Sequence, residues 1–281
     1  MTAPLLSLIT TCKGRLRHLE ESLPRMLAQP ACECIVVDYD CPDRAGDWVA
    51  EHHPGVRLVR AVDEPIFRHG HARNLGAAMA AAPWLAFVDA DTLLAPDYAR
   101  EVIAQRVPGH YYRPAPLTPD VWGNVVCEKS AFALIAGYDE VMRGWGAEDD
   151  DLYLRLAHAG CRPATYSGDL VASVAHDTVD RVRFSDIGDR WVSQRAHALY
   201  CHIKFDLMRQ AGTVTLPIET RRAIYEEVRR TVVADAAQGA IGSRITVHLP
   251  TEPLMPIWGW SIRREWTFNL EKIPNVPPPP P

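Results

Sequence analysis

Two aspartates close the run Phe87-Val88-Asp89-Ala90-Asp91. Residues two apart at the mouth of an extended segment point to the same side, so Asp89 and Asp91 offer paired carboxylates to one ligand. Such oxygens suit a hard divalent cation, Mg2+ or Mn2+. That cation can hold a diphosphate and neutralise its charge as it departs. Read without a ligand, the pair is a turn after a strand. A second constellation, Gly144-Trp145-Gly146-Ala147-Glu148-Asp149-Asp150-Asp151, places four successive acids at a helix start. One or two acids there complement the helix dipole and cap exposed N–H groups. Four repel one another, and the Gly-Trp-Gly segment beside them reads as a flexible aromatic wall next to a polar site. A carboxylate held there can act as general base on a hydroxyl. His176 follows the apolar pair Val174-Ala175. Near Asp89 and Asp91 it would complete a mixed nitrogen and oxygen metal site; alone it reads as an ordinary packed histidine.

The elements that must position these groups alternate. Leu5–Thr10, Cys34–Asp38, Val56–Arg60 and Trp84–Val88 are short apolar runs of the kind that form buried parallel strands. Between the first two, Leu16, Leu19, Leu23, Met26 and Leu27 fall at helical spacing, with Pro24 expected to start or kink a turn. Gly70–Ala82 reads as a helix stopped by Pro83. Alternation of this kind implies an open α/β sheet whose ligands gather beyond the carboxyl ends of the strands. Residues 92–123, rich in proline, read as a long loop, Asn124–Lys129 as a strand and Glu148–Ala159 as a helix. Ser185–Gln210 and Glu219–Ala237 read as helices, and the proline-rich end as a solvated tail.

The chain has 281 residues, 47% hydrophobic and 23% charged, which supports a sizeable core and excludes wholesale disorder. A net charge of −5 argues against a protein built to coat nucleic acid. No apolar stretch reaches the ~18 residues of a spanning helix, and Met1–Leu6 lacks the features of a signal peptide. Seven scattered cysteines, Cys12, Cys32, Cys34, Cys41, Cys127, Cys161 and Cys201, read as reduced thiols of a cytoplasmic protein. Cys32, Cys34 and Cys41 lack a fourth ligand at zinc-finger spacing.

The order of Thr10-Thr11-Cys12-Lys13-Gly14-Arg15, Val36-Val37-Asp38, Ala72-Arg73-Asn74-Leu75-Gly76, Asp89-Ala90-Asp91, Gly144–Asp151 and His176 resembles the GT-A glycosyltransferases. Within them it is most similar to the galactosyltransferase carboxy-terminal type: β-1,4-galactosyltransferases, chondroitin polymerases and, more distantly, polypeptide GalNAc-transferases. The resemblance implies a GT-A fold over residues 1–183, an open and mostly parallel sheet flanked by helices, with a mostly helical extension over 184–281. It also implies that Thr11, Lys13, Arg15 and Asp38 hold the nucleotide, with Asp40 sharing the task of Asp38. Arg73 would lie near the diphosphate or donor sugar. Asp91 and His176 would bind Mn2+ or Mg2+, with Asp89 shared between metal and ribose. Asp149 falls where inverting members carry the general base, and Trp145, Glu148 and Asp150 where the sugars are gripped. Two departures stand out: Val37-Asp38-Tyr39-Asp40 replaces the usual Asp-Asp-Gly-Ser, leaving the base identity open, and Lys13 replaces a common arginine with a point charge.

The expectation is therefore a metal-dependent inverting glycosyltransferase, moving a sugar from a nucleotide-sugar, a UDP-sugar first, to a hydroxyl acceptor. Neither a nucleic-acid partner nor a transmembrane segment is expected, and the location is cytoplasmic or peripheral to the inner membrane face. Two alternatives stay open: a sugar-phosphate nucleotidyltransferase, for which Thr10–Arg15 is poor in glycine, and a non-catalytic sugar-binding or scaffold module. In the extension, Arg181, Arg183, Arg190 and Arg195 read as a solvated face or a docking surface. Trp258, Trp260 and Trp266 read as core packing, with a lid or a homo-oligomer contact as alternatives.

Overall fold

The computed structural model describes residues 3–116, 118–174, 183–237, 244–251 and 262–270. They fall into two compact units, Met1–Arg190 and Trp191–Pro281. The first unit runs β1 (Leu6–Cys12), α1 (Leu16–Leu27), β2 (Cys32–Tyr39), α2 (Ala45–His52), β3 (Arg57–Ala61), α3 (His69–Met79) and β4 (Trp84–Phe87). It continues through β5 (Thr92–Leu94), α4 (Tyr98–Gln105), β6 (His110–Ala115), β7 (Val125–Glu128), α5 (Lys129–Leu134), α6 (Glu148–His158), β8 (Arg162–Ser167) and β9 (Val171–Ser173).

Seven strands form one sheet in the order β3-β2-β1-β4-β7-β6-β8. All are parallel except β7, which runs against both β4 and β6. The interior strands β1 and β4 are apolar runs buried on both faces, as parallel strands covered by helices must be. In register, Cys12 lies opposite Asp38 and Ile9 opposite Phe87. The loops carrying Lys13 and Arg15, Asp40, and Asp89 with Asp91 thus leave the sheet along one edge.

Two helices fix that edge. On the buried face of α1, Ser22 Oγ donates to the Ala90 carbonyl at 2.7 Å, tethering the loop between the two aspartates. Helix α3 lies close against the sheet because Gly76 has no side chain: a Cβ there would collide with Ile9 Cγ2 and stand 3.1 Å from Val37 Cγ2. Gly76→Ala is expected to cost about 1–3 kcal/mol by overpacking, seen as a lower urea midpoint at unchanged m-value.

Three expectations need correction. Residues 92–123 are not one long loop: they contain β5, α4, β6 and a 3-10 turn at Pro119–Val121. Tyr98, Ala99 and Val102 of α4 supply a buried face too short to register as periodic, and β6 pairs with β7 and β8 despite Pro114. Helix α1 runs through Pro24, where a turn was expected to start or kink, since Leu19, Leu23 and Met26 anchor it in the core. The second unit holds the expected helices, α7 (Arg190–Ala211) and α8 (Ile218–Ala237), and also an antiparallel pair, β10 (Arg244–Thr251) with β11 (Ile262–Asn269). Ile245, Val247 and Leu249 alternate into its core. Among the described residues, no helix is long and apolar enough to cross a membrane.

Candidate active site

The two acidic constellations meet on one arginine. Arg73, buried on α3, donates from Nη1 to Asp149 Oδ1 at 2.6 Å and from Nη2 to Asp89 Oδ1 at 2.7 Å. Its guanidinium lies 5.0 Å from the centre of the Tyr138 ring, and the Tyr138 hydroxyl donates to the same Asp149 Oδ1 at 3.3 Å. Asn74, the next residue on α3, holds Tyr138 in place through Nδ2 to the Tyr138 carbonyl and Oδ1 from its N–H. The other carboxylate oxygens converge on Gly123: a Cβ there would stand 2.6 Å from Asp89 Oδ2, 2.7 Å from Arg73 Nη2 and 3.2 Å from Asp149 Oδ2. These two acids and one guanidinium can close on the Gly123 backbone only because residue 123 has no side chain. Gly123→Ala should push these groups apart, lowering kcat/KM about 10²-fold, the scale of a misplaced reacting group, and costing about 1–3 kcal/mol of stability by overpacking.

The four acids of α6 do different things. Asp149 is buried, and burial raises its carboxyl to about 7 against the pull of Arg73, with Glu148, Asp89 and Asp150 adding repulsion. Glu148 is also raised, by burial first, and its Oε2 is buried without a hydrogen-bond partner. Asp150 points outward and accepts from Trp122 Nε1 at 3.0 Å. Asp151 is fully buried and accepts from Arg155 Nε at 2.8 Å, while Arg155 Nη1 donates to the carbonyls of Ile135 and Gly137. The preceding segment turns sharply, with left-handed backbone at Gly144, Gly146 and the residue before the helix, Ala147; Trp145 is half-buried within it.

At the other loops, Arg15 Nη1 donates to Asp91 Oδ2 at 3.0 Å. Thr11 is half-buried on β1. Lys13 is 4% exposed, and its ammonium donates to the carbonyls of Tyr39, Asp40 and Glu64, tying three segments together instead of facing outward. Asp38 accepts from the N–H groups of Cys41 and Gly46 and organises the turn after β2, whereas Asp40 is exposed and accepts from the Glu64 N–H. His176 lies outside the described residues, as do Arg181, Trp258 and Trp260. Still, β9 pairs with β5, and the Val174 N–H donates to the Asp91 carbonyl at 2.8 Å.

No group of three or more His, Cys, Asp or Glu among the described residues is arranged to hold a metal. The donor chemistry nevertheless fits a hard divalent ion: two carboxylates two residues apart offer hard oxygen ligands from one loop. Sequence reasoning missed Gly123, Tyr138, Trp122 and Asn124, whose Oδ1 accepts from the Asp89 N–H at 3.3 Å. The one local signal was Trp122-Gly123-Asn124 standing directly before an apolar strand.

Residues 7–106 match the model described as glycosyl transferase family 2, and residues 114–182 the model described as N-terminal domain of galactosyltransferase. The solved mannosyltransferase PcManGT from Pyrobaculum calidifontis, in complex with GDP-Man and Mn2+, superposes with a TM-score of 0.53 at 18% identity, covering 86% of this chain and 77% of that one. S. aureus TarS 1-349 in complex with UDP superposes at 0.51 and 14% identity, covering 84% and 92%. The chain has the GT-A glycosyltransferase fold. Both family models matched by this GT-A chain are those of sugar-transfer enzymes. Two validoxylamine A glucosyltransferases, from Streptomyces hygroscopicus subsp. jinggangensis (strain 5008) and subsp. limoneus, are each 32% identical over 106 residues, or 36% of the chain. The matched stretch spans 25% and 23% of the length of those relatives.

Proposed function

We propose that this protein is an inverting glycosyltransferase that moves a sugar from a nucleotide-sugar, a UDP-sugar first, to a hydroxyl acceptor, with Asp149 as general base. The observation carrying this reading is the single guanidinium of Arg73, which joins Asp89 of the acidic pair to Asp149 of the acid cluster. Departure of a nucleoside diphosphate needs positive charge on one side of the anomeric carbon, and attack by an alcohol needs a proton acceptor on the other. Asp149 Oδ1 is held by Arg73 and Tyr138, which leaves Oδ2, beside Gly123, to take the acceptor proton. Arg73 acts chiefly by orienting the two carboxylates. The unpartnered Glu148 Oε2 is the acceptor for a donor-sugar hydroxyl, and Trp145 and Asp150 border the acceptor side. Arg15 and the loops after β1 and β2 grip the nucleotide, with Asp40 the more accessible acid for its base or ribose.

Asp89 and Asp91 would hold Mn2+ or Mg2+, with His176 as the third ligand; the strand pairing that brings Val174 beside Asp91 supports this set. When bound, the cation supplies positive charge to the diphosphate. The complex of PcManGT with GDP-Man and Mn2+ and that of TarS with UDP support a nucleotide-sugar donor and a divalent metal. A nucleotidyltransferase is disfavoured because the Lys13 ammonium is already bound to three backbone carbonyls.

A thermal-shift panel of UDP-, GDP- and dTDP-sugars with Mn2+ tests this. A UDP-sugar at a hundredfold excess over Kd should raise the melting temperature by roughly 5–10 °C. The shift should vanish in EDTA; an equal shift there would remove the metal from the reading.

A further inference from the structure

All seven cysteines are thiols, and two of them meet between the loops just described. Cys12 ends β1 and Cys41 lies two residues beyond β2, with their Sγ atoms 3.9 Å apart. Cys12 is fully buried and Cys41 is 8% exposed, so the second is the one an oxidant can reach. The Gly14 N–H donates to Cys41 Sγ at 3.1 Å, and the Cys41 N–H donates to Asp38 Oδ1 at 2.9 Å, which fixes the sulfur's direction. The Cys12 thiol lowers the Cys41 thiol to about 6; burial opposes this, and the Gly14 N–H assists it. Cys12 is correspondingly raised, first through that same bond and then by burial. Burial pushes Cys32 and Cys34 the other way, up to about 12, and Cys127 is raised for the same reason. An attacking thiolate beside a protonated resolving thiol is the arrangement that disulfide formation requires.

We propose that Cys12 and Cys41 are a redox-active dithiol that hydrogen peroxide closes to an intramolecular disulfide, and that closure weakens nucleotide binding between the same two loops. The second half rests on the function proposed above; the first does not. The Cys41 thiolate attacks one peroxide oxygen, the O–O bond breaks and hydroxide leaves, giving a sulfenic acid. Cys12 sulfur then attacks Cys41 sulfur, and the sulfenic hydroxyl leaves with the Cys12 proton as water. Two thiols lose two electrons, and the peroxide takes them to become two waters. The sulfurs must approach from 3.9 Å to about 2.05 Å. That movement draws Cys41 from the Gly14 N–H and pulls the loop after β1 toward the turn after β2.

The test treats the reduced full-length chain with hydrogen peroxide, alkylates remaining thiols, and digests with trypsin and Asp-N, which separate Cys12, Cys32 with Cys34, and Cys41. The expected product is a Cys12–Cys41 cross-linked peptide, reversed by dithiothreitol and absent from Cys12→Ser and Cys41→Ser. Recovery of both residues as alkylated thiols after other cysteines have oxidised, or of Cys41 as sulfinic acid without a cross-link, overturns the dithiol. In the same samples the thermal shift from UDP with Mn2+ should fall at least twofold on oxidation and return with dithiothreitol. An undiminished shift in cross-linked protein overturns the regulatory half. Absence of any shift in reduced protein overturns the nucleotide reading and leaves the cross-link standing.

Discussion

Replacing Asp149 by asparagine is expected to lower kcat for transfer about 10³-fold or more, near the upper range of general-base catalysis, while donor affinity stays within about twofold. Asparagine keeps an oxygen for Arg73 and Tyr138, so the fold and the Arg73–Asp89 pair should survive. A large loss of donor affinity would make Asp149 a ligand instead of the base. The wild-type pH profile supplies a second check. Burial raises the Asp149 carboxyl to about 7, so the protonated, inactive form persists to neutral pH. Activity should therefore rise about tenfold per pH unit in the acid limb and level off above about 7. A limb ending near the ordinary carboxylate value of about 4 would show that some other group carries the proton.

Two residues further along the same helix, substitution should destroy stability instead of chemistry. Asp151 and Arg155 form an ion pair whose side chains are 0% and 4% exposed, and Arg155 also holds the carbonyls of Ile135 and Gly137. Asp151→Ala leaves a buried guanidinium without its counter-charge, a change that typically costs about 3–5 kcal/mol. A drop in melting temperature of about 10 °C is expected. Asp150→Ala is the control: Asp150 is half-exposed and bonded to the exposed Trp122, so its loss should stay near the 0–1 kcal/mol of surface contacts. Equal destabilisation by both substitutions would mean that the Asp151–Arg155 pair does not hold α6 to the segment at residues 135–137.

Much of the fold was legible because interior strands leave a continuous apolar trace. Leu6–Cys12 and Trp84–Phe87 are covered on both faces. Strand β6 left no such trace: Arg113 stacks against Trp122 and Tyr153 and Pro114 interrupts the run, so its identity depends on neighbours distant in sequence. Strand β10 carries a period of two in Ile245, Val247 and Leu249, but the charged run Arg263-Arg264-Glu265 blurs it in its partner β11. The acidic pair and the acid run were readable from residue type and spacing, whereas Asp149 was singled out among the four acids only by the family resemblance. Tyr138 and Gly123 were not readable, since one acts through a ring beneath an arginine and the other through the absence of a side chain. The distinction among Asp149, Asp150 and Asp151 was equally hidden, because identical side chains differ only in what faces them.

That distinction turns on angular phase. Successive residues of a helix are about 100° apart, and Leu152 and Leu156 lock the rotation of α6 in the core. Deleting one aspartate from the run would leave a sequence that still looks acidic to any composition count. Yet every acid before the gap would turn by one step relative to those leucines, and glutamate would swing to the place that Asp149 holds. Likeness to this chain is therefore better judged by the interval from the glutamate to Leu152 and Leu156 than by the mere presence of an acidic run.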